Sequence, residues 1–150
     1  MSDPRKFDRA DVVQVLWPTI GPHTAESIGT AAAAISELWR YLAHATHSGQ
    51  AEGLADPADV YLVVGTLRVA TSSAMQVMGQ LCEWAMALSE IPALGHDETG
   101  VQAAETASDA GYALNEVMLR LQQVRDALDK AAQGLGHLYL ADDDAEEGGR

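Results

Sequence analysis

His44 and His47 stand three residues apart, a spacing that puts two imidazoles on one face of a helix and could supply two metal ligands. A closed site needs further donors, and no cysteine or carboxylate stands at a matching spacing. We therefore read the pair as surface histidines near a helix C-terminus, where positive charge favours the dipole. Bundles that hold two irons use Glu-x-x-His pairs on two helices. Here Glu37 is followed three residues on by Arg40, and Glu83 by Met86, so that chemistry is not expected. Cys82 sits among apolar neighbours, and a reactive thiolate needs a cationic, partly exposed setting. Ser72 and Ser73 belong to no nucleophile motif, and no phosphate-cradling glycine loop occurs. The expectation is a non-enzymatic protein with no catalytic, cofactor-binding or metal residues and no cofactor.

Arg68 is the only basic residue in a long apolar stretch. It can pair with an acid of a neighbouring helix and fix the register, or it can bind an anionic ligand. Pairing is the commoner use of such a residue.

These residues must be positioned by helices. Ala, Leu, Val and Met carry an apolar content of 47%, while aromatics make up 5%, a palette that favours helix over sheet. A short helix is predicted from about Asp8 to Trp17, stopped by Pro18. Gly21-Pro22 marks a turn, with Pro22 suited to the first position of a second helix over roughly His23 to His47. In that helix Ile28, Ala32, Ile35, Trp39, Leu42 and Thr46 recur at gaps of four and three. Gly49 and Gly53 end it. Asp56-Pro57, with Asp59 behind, is a strong start for a third helix that runs to about Glu90 or Ile91.

In the third helix Val60, Val64, Leu67, Thr71, Ala74, Met78, Leu81, Ala85 and Leu88 keep the four–three rhythm, and Val63, Ala70, Val77, Trp84 and Ile91 form a parallel row. So apolar a helix is expected to be contacted on more than one side and to be central. The fourth starts near Asp97 or Glu98 and continues to about Gln133. Its expected inward rhythm is Ala110, Leu114, Val117, Leu121, Val124, Leu128, Ala131, Leu135 and Leu138. Glu116 with Arg120 and Asp126 with Lys130 are favourable pairs four apart. The third and fourth helices should fold into an antiparallel hairpin. Small residues (Gly65, Ser72, Gly79) precede bulk (Trp84, Met86) in the third helix; the fourth begins small, at Ala103, Ala107, Ala110 and Gly111. Folded back, small faces large.

The predicted fold is all-α: an antiparallel bundle of three long helices with a short N-terminal helix across one end. Residues 1–140 form a single domain, followed by an acidic disordered tail, Ala141 to Arg150. The second helix is shorter than the hairpin, which leaves apolar surface for a partner. The residues expected to carry interaction are Val60, Val64, Leu67, Arg68, Trp84, Leu121 and Leu128.

Nine Lys and Arg against 22 Asp and Glu give a formal charge of −13. Such a surface disfavours nucleic acid and anionic membranes. The N-terminus, Met1 to Arg9, lacks the apolar run of a signal peptide, and no apolar stretch has transmembrane length. One cysteine permits no intramolecular disulfide. The cytoplasm is the expected compartment.

Tyr139 and Asp143 stand four apart after the hairpin, at the start of the tail. This resembles the C-terminal Y-x-x-x-D/E signal of substrates of the actinobacterial type VII secretion pathway, which include the WXG-like proteins. The low lysine count (Lys6 and Lys130) and the richness in Ala and Gly suit a high-GC organism, and the chain is similar in general build to small actinobacterial helical-bundle proteins. The resemblance implies a helical protein exported folded with a helical partner, without a cleavable signal peptide, and with Tyr139 and Asp143 as its export signal.

Three functional readings follow. The chain is a helical interaction or scaffold protein that binds itself as a homodimer or binds another helical protein. Alternatively it is a type VII-like substrate. A third alternative is a small-ligand-binding bundle, with a pocket lined by Met78, Trp84 and Met86 and closed by Arg68.

Overall fold

The computed structural model describes residues 9–47 and 52–140. The acidic tail from Ala141 onward, Asp143 with it, and Gly49 lie outside the described residues. The described chain is a short N-terminal helix, α1 (Arg9–Leu16), followed by three long ones, α2 (Ala25–Ala45), α3 (Pro57–Ser89) and α4 (Ala103–Leu135), with a 3-10 turn at Glu52–Leu54. The chain divides into two compact units, Met1–Gly53 and Leu54–Arg150.

In the first unit, α1 ends before Pro18, as the missing N–H of proline requires. The turn that follows uses Gly21 at φ 146°, a conformation open to glycine. The α2 helix starts two residues later than expected. Pro22 is not its first residue, because a capping box closes the end instead: Thr24 accepts from the Ser27 N–H at 3.1 Å, and Ser27 Oγ accepts from the Thr24 N–H at 3.0 Å. In α2's apolar row Ile28, Ile35 and Trp39 are exposed and Leu42 is half-buried.

In the second unit, Asp56 caps α3 as its sequence promised, its carboxylate accepting from the Ala58 N–H at 2.8 Å with Pro57 in the first turn. Asp56→Ala should lower stability by about 1 kcal/mol, read as a fall in urea midpoint with unchanged slope.

The α4 helix begins at Ala103, later than the expected Asp97 or Glu98. Gly100 adopts φ 87°, which no right-handed helix contains. Just before it, the Glu98 N–H is taken by His96 Nδ1 at 3.0 Å. The same nitrogen lies 3.3 Å from Asp97 Oδ1. The two contacts demand opposite protonation of that nitrogen. The shorter contact, to the backbone N–H, makes Nδ1 an acceptor, so we read no ion pair there.

Helices α3 and α4, 33 residues each, are about 50 Å long and form an antiparallel hairpin. Four contacts fix the register. Tyr61 lies against Gly136, Arg68 against Asp129, Gly79 against Met118, and Met86 against Gly111. The numbers rise along one helix by the same steps as they fall along the other, so no residue is skipped between these pairs. The expected matching of small to large holds at two of them. A Cβ placed on Gly111 would lie 2.6 Å from Met86 Sδ, and one on Gly79 would lie 3.5 Å from Met118 Sδ. Only Gly111, Ala85 and Ala132 are buried in this unit among the described residues; the rest of the seam is half-buried.

Candidate interaction surface

The register decides which side of each helix faces its partner. On α3 the half-buried line follows the expected one: Val60, Val64, Leu67, Thr71, Ala74 and Met78, then Ala85 and Leu88. Leu81 departs from it and is exposed, while Cys82 next to it is half-buried. The seven-residue repeat drifts by roughly 20° per heptad around a straight helix, and the inward line therefore moves forward by one residue near the C-terminal end.

On α4 the expectation needs correction. Leu114, Leu121, Leu128 and Leu135 are half-buried as foreseen. The alternating positions are instead Gly111, Met118, Arg125 and Ala132, each one residue beyond the expected Ala110, Val117, Val124 and Ala131. Val117, Val124 and Leu138 are exposed. Apolarity pointed to the valines, but close approach of the helices selects the line holding Gly111. At Arg125 a long aliphatic stem covers the seam while the guanidinium reaches Asp126 Oδ1 at 3.0 Å. Asp126 thus pairs with its neighbour rather than with Lys130, whereas Glu116 and Arg120 form the expected pair at 2.8 Å.

Each helix therefore carries two flanking rows. On one flank Arg68 Nη1 donates to Asp129 Oδ1 at 3.2 Å, and Gln133 Nε2 donates to Asp129 Oδ2 at 2.9 Å. Arg68 thus makes the interhelical pair anticipated for it. Both side chains are 45% exposed, so the pair serves register more than stability. In an antiparallel pair the rows one residue forward of each seam share a side, and the rows one residue back share the other. Asp129 continues forward-row positions Asn115 and Gln122, which are polar.

The back rows are apolar on both helices. Alpha-3 contributes Ala70, Val77 and Trp84, and α4 contributes Ala110, Val117, Val124 and Ala131, all exposed. Trp84 is 63% exposed, Val77 46% and Val124 47%. Towards the loop end the α3 row turns away from α4, since Trp84 stands about 200° around the helix from Met86, which packs on Gly111. No charge interrupts it on α3 between Asp59 and Glu83, since Arg68 is on the opposite flank.

Of the residues expected to carry interaction, Val60, Val64, Leu67, Leu121 and Leu128 lie in the seam, Arg68 lies on the polar flank, and Trp84 is exposed on α3. The sequence rhythm alone places the back-row residues of α4 in the core. The signal for their exposure was the run Gly111, Met118 and Ala132, which is only legible beside Gly79 and Met86.

Met78, Trp84 and Met86 do not converge. Met86 lies on Gly111, Met78 is in the seam, and Trp84, two residues from Met86, points about 200° around the helix from it. A shallow hollow of about 350 Å³ lies in the first unit beside Leu16, Trp17, Thr24 and Ser27, and is open to solvent. His44 and His47 are exposed near the end of α2. Among the described residues no group of three or more His, Cys, Asp or Glu could hold a metal ion, and no helix is long and apolar enough to cross a membrane. Tyr139 is 82% exposed just beyond α4.

No protein-family model, curated protein or solved structure matches this chain.

Proposed function

We propose that the protein is a non-enzymatic helical interaction protein whose working surface is the apolar face of the α3–α4 hairpin. The observation that carries this reading is the set of exposed apolar residues along the hairpin, Ala70, Val77 and Trp84 on α3 and Val117 and Val124 on α4. Contiguous apolar surface of this length on a monomer is uncommon unless a protein covers it. The net charge of −13 argues against a nucleic-acid or anionic membrane partner. The test is a photo-crosslinking amino acid at Val124, with Gln122 on the polar flank as the control. Protein adducts are expected from position 124 and not from position 122. Absence of adducts at 124, or equal yields at both, would end this reading.

A second reading is favoured by the exposure of Tyr139 immediately after α4. In it the chain is a type VII-like exported substrate, and the same apolar face meets a helical secretion partner. Tyr139→Ala would then abolish export while leaving helicity unchanged. Equal export of both forms would reject it.

A further inference from the structure

We propose that the seam of the hairpin around Gly79 binds a soft monovalent metal ion, Cu(I), through the sulfur atoms of Met75, Met78 and Cys82 on α3 and Met118 on α4. The site is separate from the exposed apolar residues and does not depend on their role.

Sulfur is gathered in one stretch of the molecule. Apart from Met1, every methionine of the chain and its single cysteine lie in the hairpin: Met75, Met78, Cys82 and Met86 on α3, and Met118 on α4. All five are half-buried. The register brings four of them together. Met118 Sδ lies 3.5 Å from the place of a Cβ on Gly79. A side chain of one packed helix seats in a hole bounded by four residues of the other, at i, i+3, i+4 and i+7. Of the holes that include Gly79, only the one formed by Met75, Met78, Gly79 and Cys82 has every corner turned inward. The others include Gln76, Gln80 or Glu83, which are exposed. Three corners of the hole therefore carry sulfur, the fourth is the glycine that admits Met118, and the side chain entering it carries sulfur too. The contact of Met86 with Gly111 is seven residues further along α3, about 10 Å by helix rise, and takes no part.

Packing alone does not call for sulfur here. Leucine has nearly the volume of methionine, and α4 fills the same seam with Leu114, Leu121 and Leu128. One thiolate with three thioethers is instead a soft donor set, the kind that selects Cu(I). Zn(II) takes thiolate, imidazole or carboxylate. Among the described residues no group of three or more His, Cys, Asp or Glu could supply those donors. Charge agrees with the monovalent ion. Binding exchanges the Cys82 proton for the metal, Cys–SH + Cu⁺ → Cys–S–Cu + H⁺, so the half-buried seam gains no net charge. A divalent ion would leave a positive charge there with no carboxylate in the hole to neutralise it. The net charge of −13 draws cations to the surface, and partial exposure of all four donors leaves a way in. Methionine has three rotatable bonds, so its sulfur can turn to the ion without movement of the backbone.

The experiment titrates the full chain with Cu(I), free of oxygen, against a chromogenic Cu(I) chelator. One equivalent per chain should be retained. Cys82→Ala should weaken retention about 100-fold, and Met75→Leu, Met78→Leu or Met118→Leu about tenfold each, since losing a ligand costs at least as much as losing a residue that only orients one. Leucine conserves the volume, so circular dichroism should be unchanged in these variants. Met86→Leu should leave retention as it is. X-ray absorption of the loaded wild type should show sulfur alone around the copper, a readout that needs no substitution. A chain that retains no Cu(I) overturns the proposal. Retention indifferent to Cys82→Ala or to Met118→Leu places the ion elsewhere and overturns it as well. So does nitrogen or oxygen around the copper, or equal retention of Zn(II).

Discussion

Leu121→Asp is expected to lower the stability of the hairpin by about 2–4 kcal/mol, and Val124→Asp, three residues further on, by less than about 0.5 kcal/mol. The contrast follows from the register. Leu121 is half-buried in the seam, where an aspartate loses the leucine's apolar contacts and surrenders part of its own hydration. Val124 stands on the back row, 47% exposed, where a carboxylate keeps its water. Leu121→Asn, of similar shape to aspartate and uncharged, should recover the share of the loss due to charge. Urea unfolding followed by circular dichroism, at a concentration low enough to exclude association, would measure all three. Equal losses at 121 and 124 would mean that the inward line of α4 runs through its valines after all. Domains of this size are stable by only about 5–15 kcal/mol, so the Leu121→Asp effect is large enough to populate the unfolded chain under mild denaturant.

The second large effect is expected at Gly111. Its missing side chain is filled by Met86, whose Sδ and Cγ would stand 2.6 and 2.9 Å from an added Cβ, with the Cys82 carbonyl oxygen 3.6 Å away. Alanine there gains about 1 kcal/mol of helix propensity, and Met86 can swing aside, so Gly111→Ala should be close to neutral. Gly111→Leu cannot be accommodated that way. The added bulk displaces Met86 and presses on the α3 backbone, for a net loss of about 1–3 kcal/mol. Adding Met86→Ala should return most of it, since total volume is then nearly conserved. A double variant no more stable than Gly111→Leu alone would show that the close approach depends on backbone contact rather than on Met86.

The helices were legible in the sequence because their punctuation is local. Asp56-Pro57 and Pro18 act through capping or the absent N–H, and both are properties of one or two residues. The N-terminal edge of α4 was not, because Asp97 and Glu98 look like a first turn until Gly100 takes a positive φ. The seam of α3 was readable from its rhythm. That of α4 was ambiguous by one residue, since two adjacent rows carry apolar side chains. The choice between them rests on how closely two backbones approach at Gly111 and Gly79, a property of the pair of helices. The exposed apolar residues proposed to bind a partner had no signature of their own in the sequence. They are what remains of the apolar residues once the pairing has used the others. Arg68 was legible as a register residue, but the sequence could not name Asp129, 61 positions away, as its partner.

The unbroken register also bears on how the hairpin is made and unmade. Its innermost pair, Met86 with Gly111, encloses the connecting loop and the helix ends beside it, whereas Tyr61 with Gly136 encloses nearly the whole unit. Loop closure costs more entropy as the enclosed chain lengthens, so the cheapest first contact is at the loop end. Each later pair then closes only a few residues beyond the one before it. The hairpin should therefore zip from Met86–Gly111 outward, with low contact order and correspondingly fast folding. Its free ends, near Pro57 and Leu135, lie together at the opposite end. A pulling force applied there would peel the helices apart one pair at a time instead of shearing the whole seam, so the hairpin would yield at low force and close again readily when released.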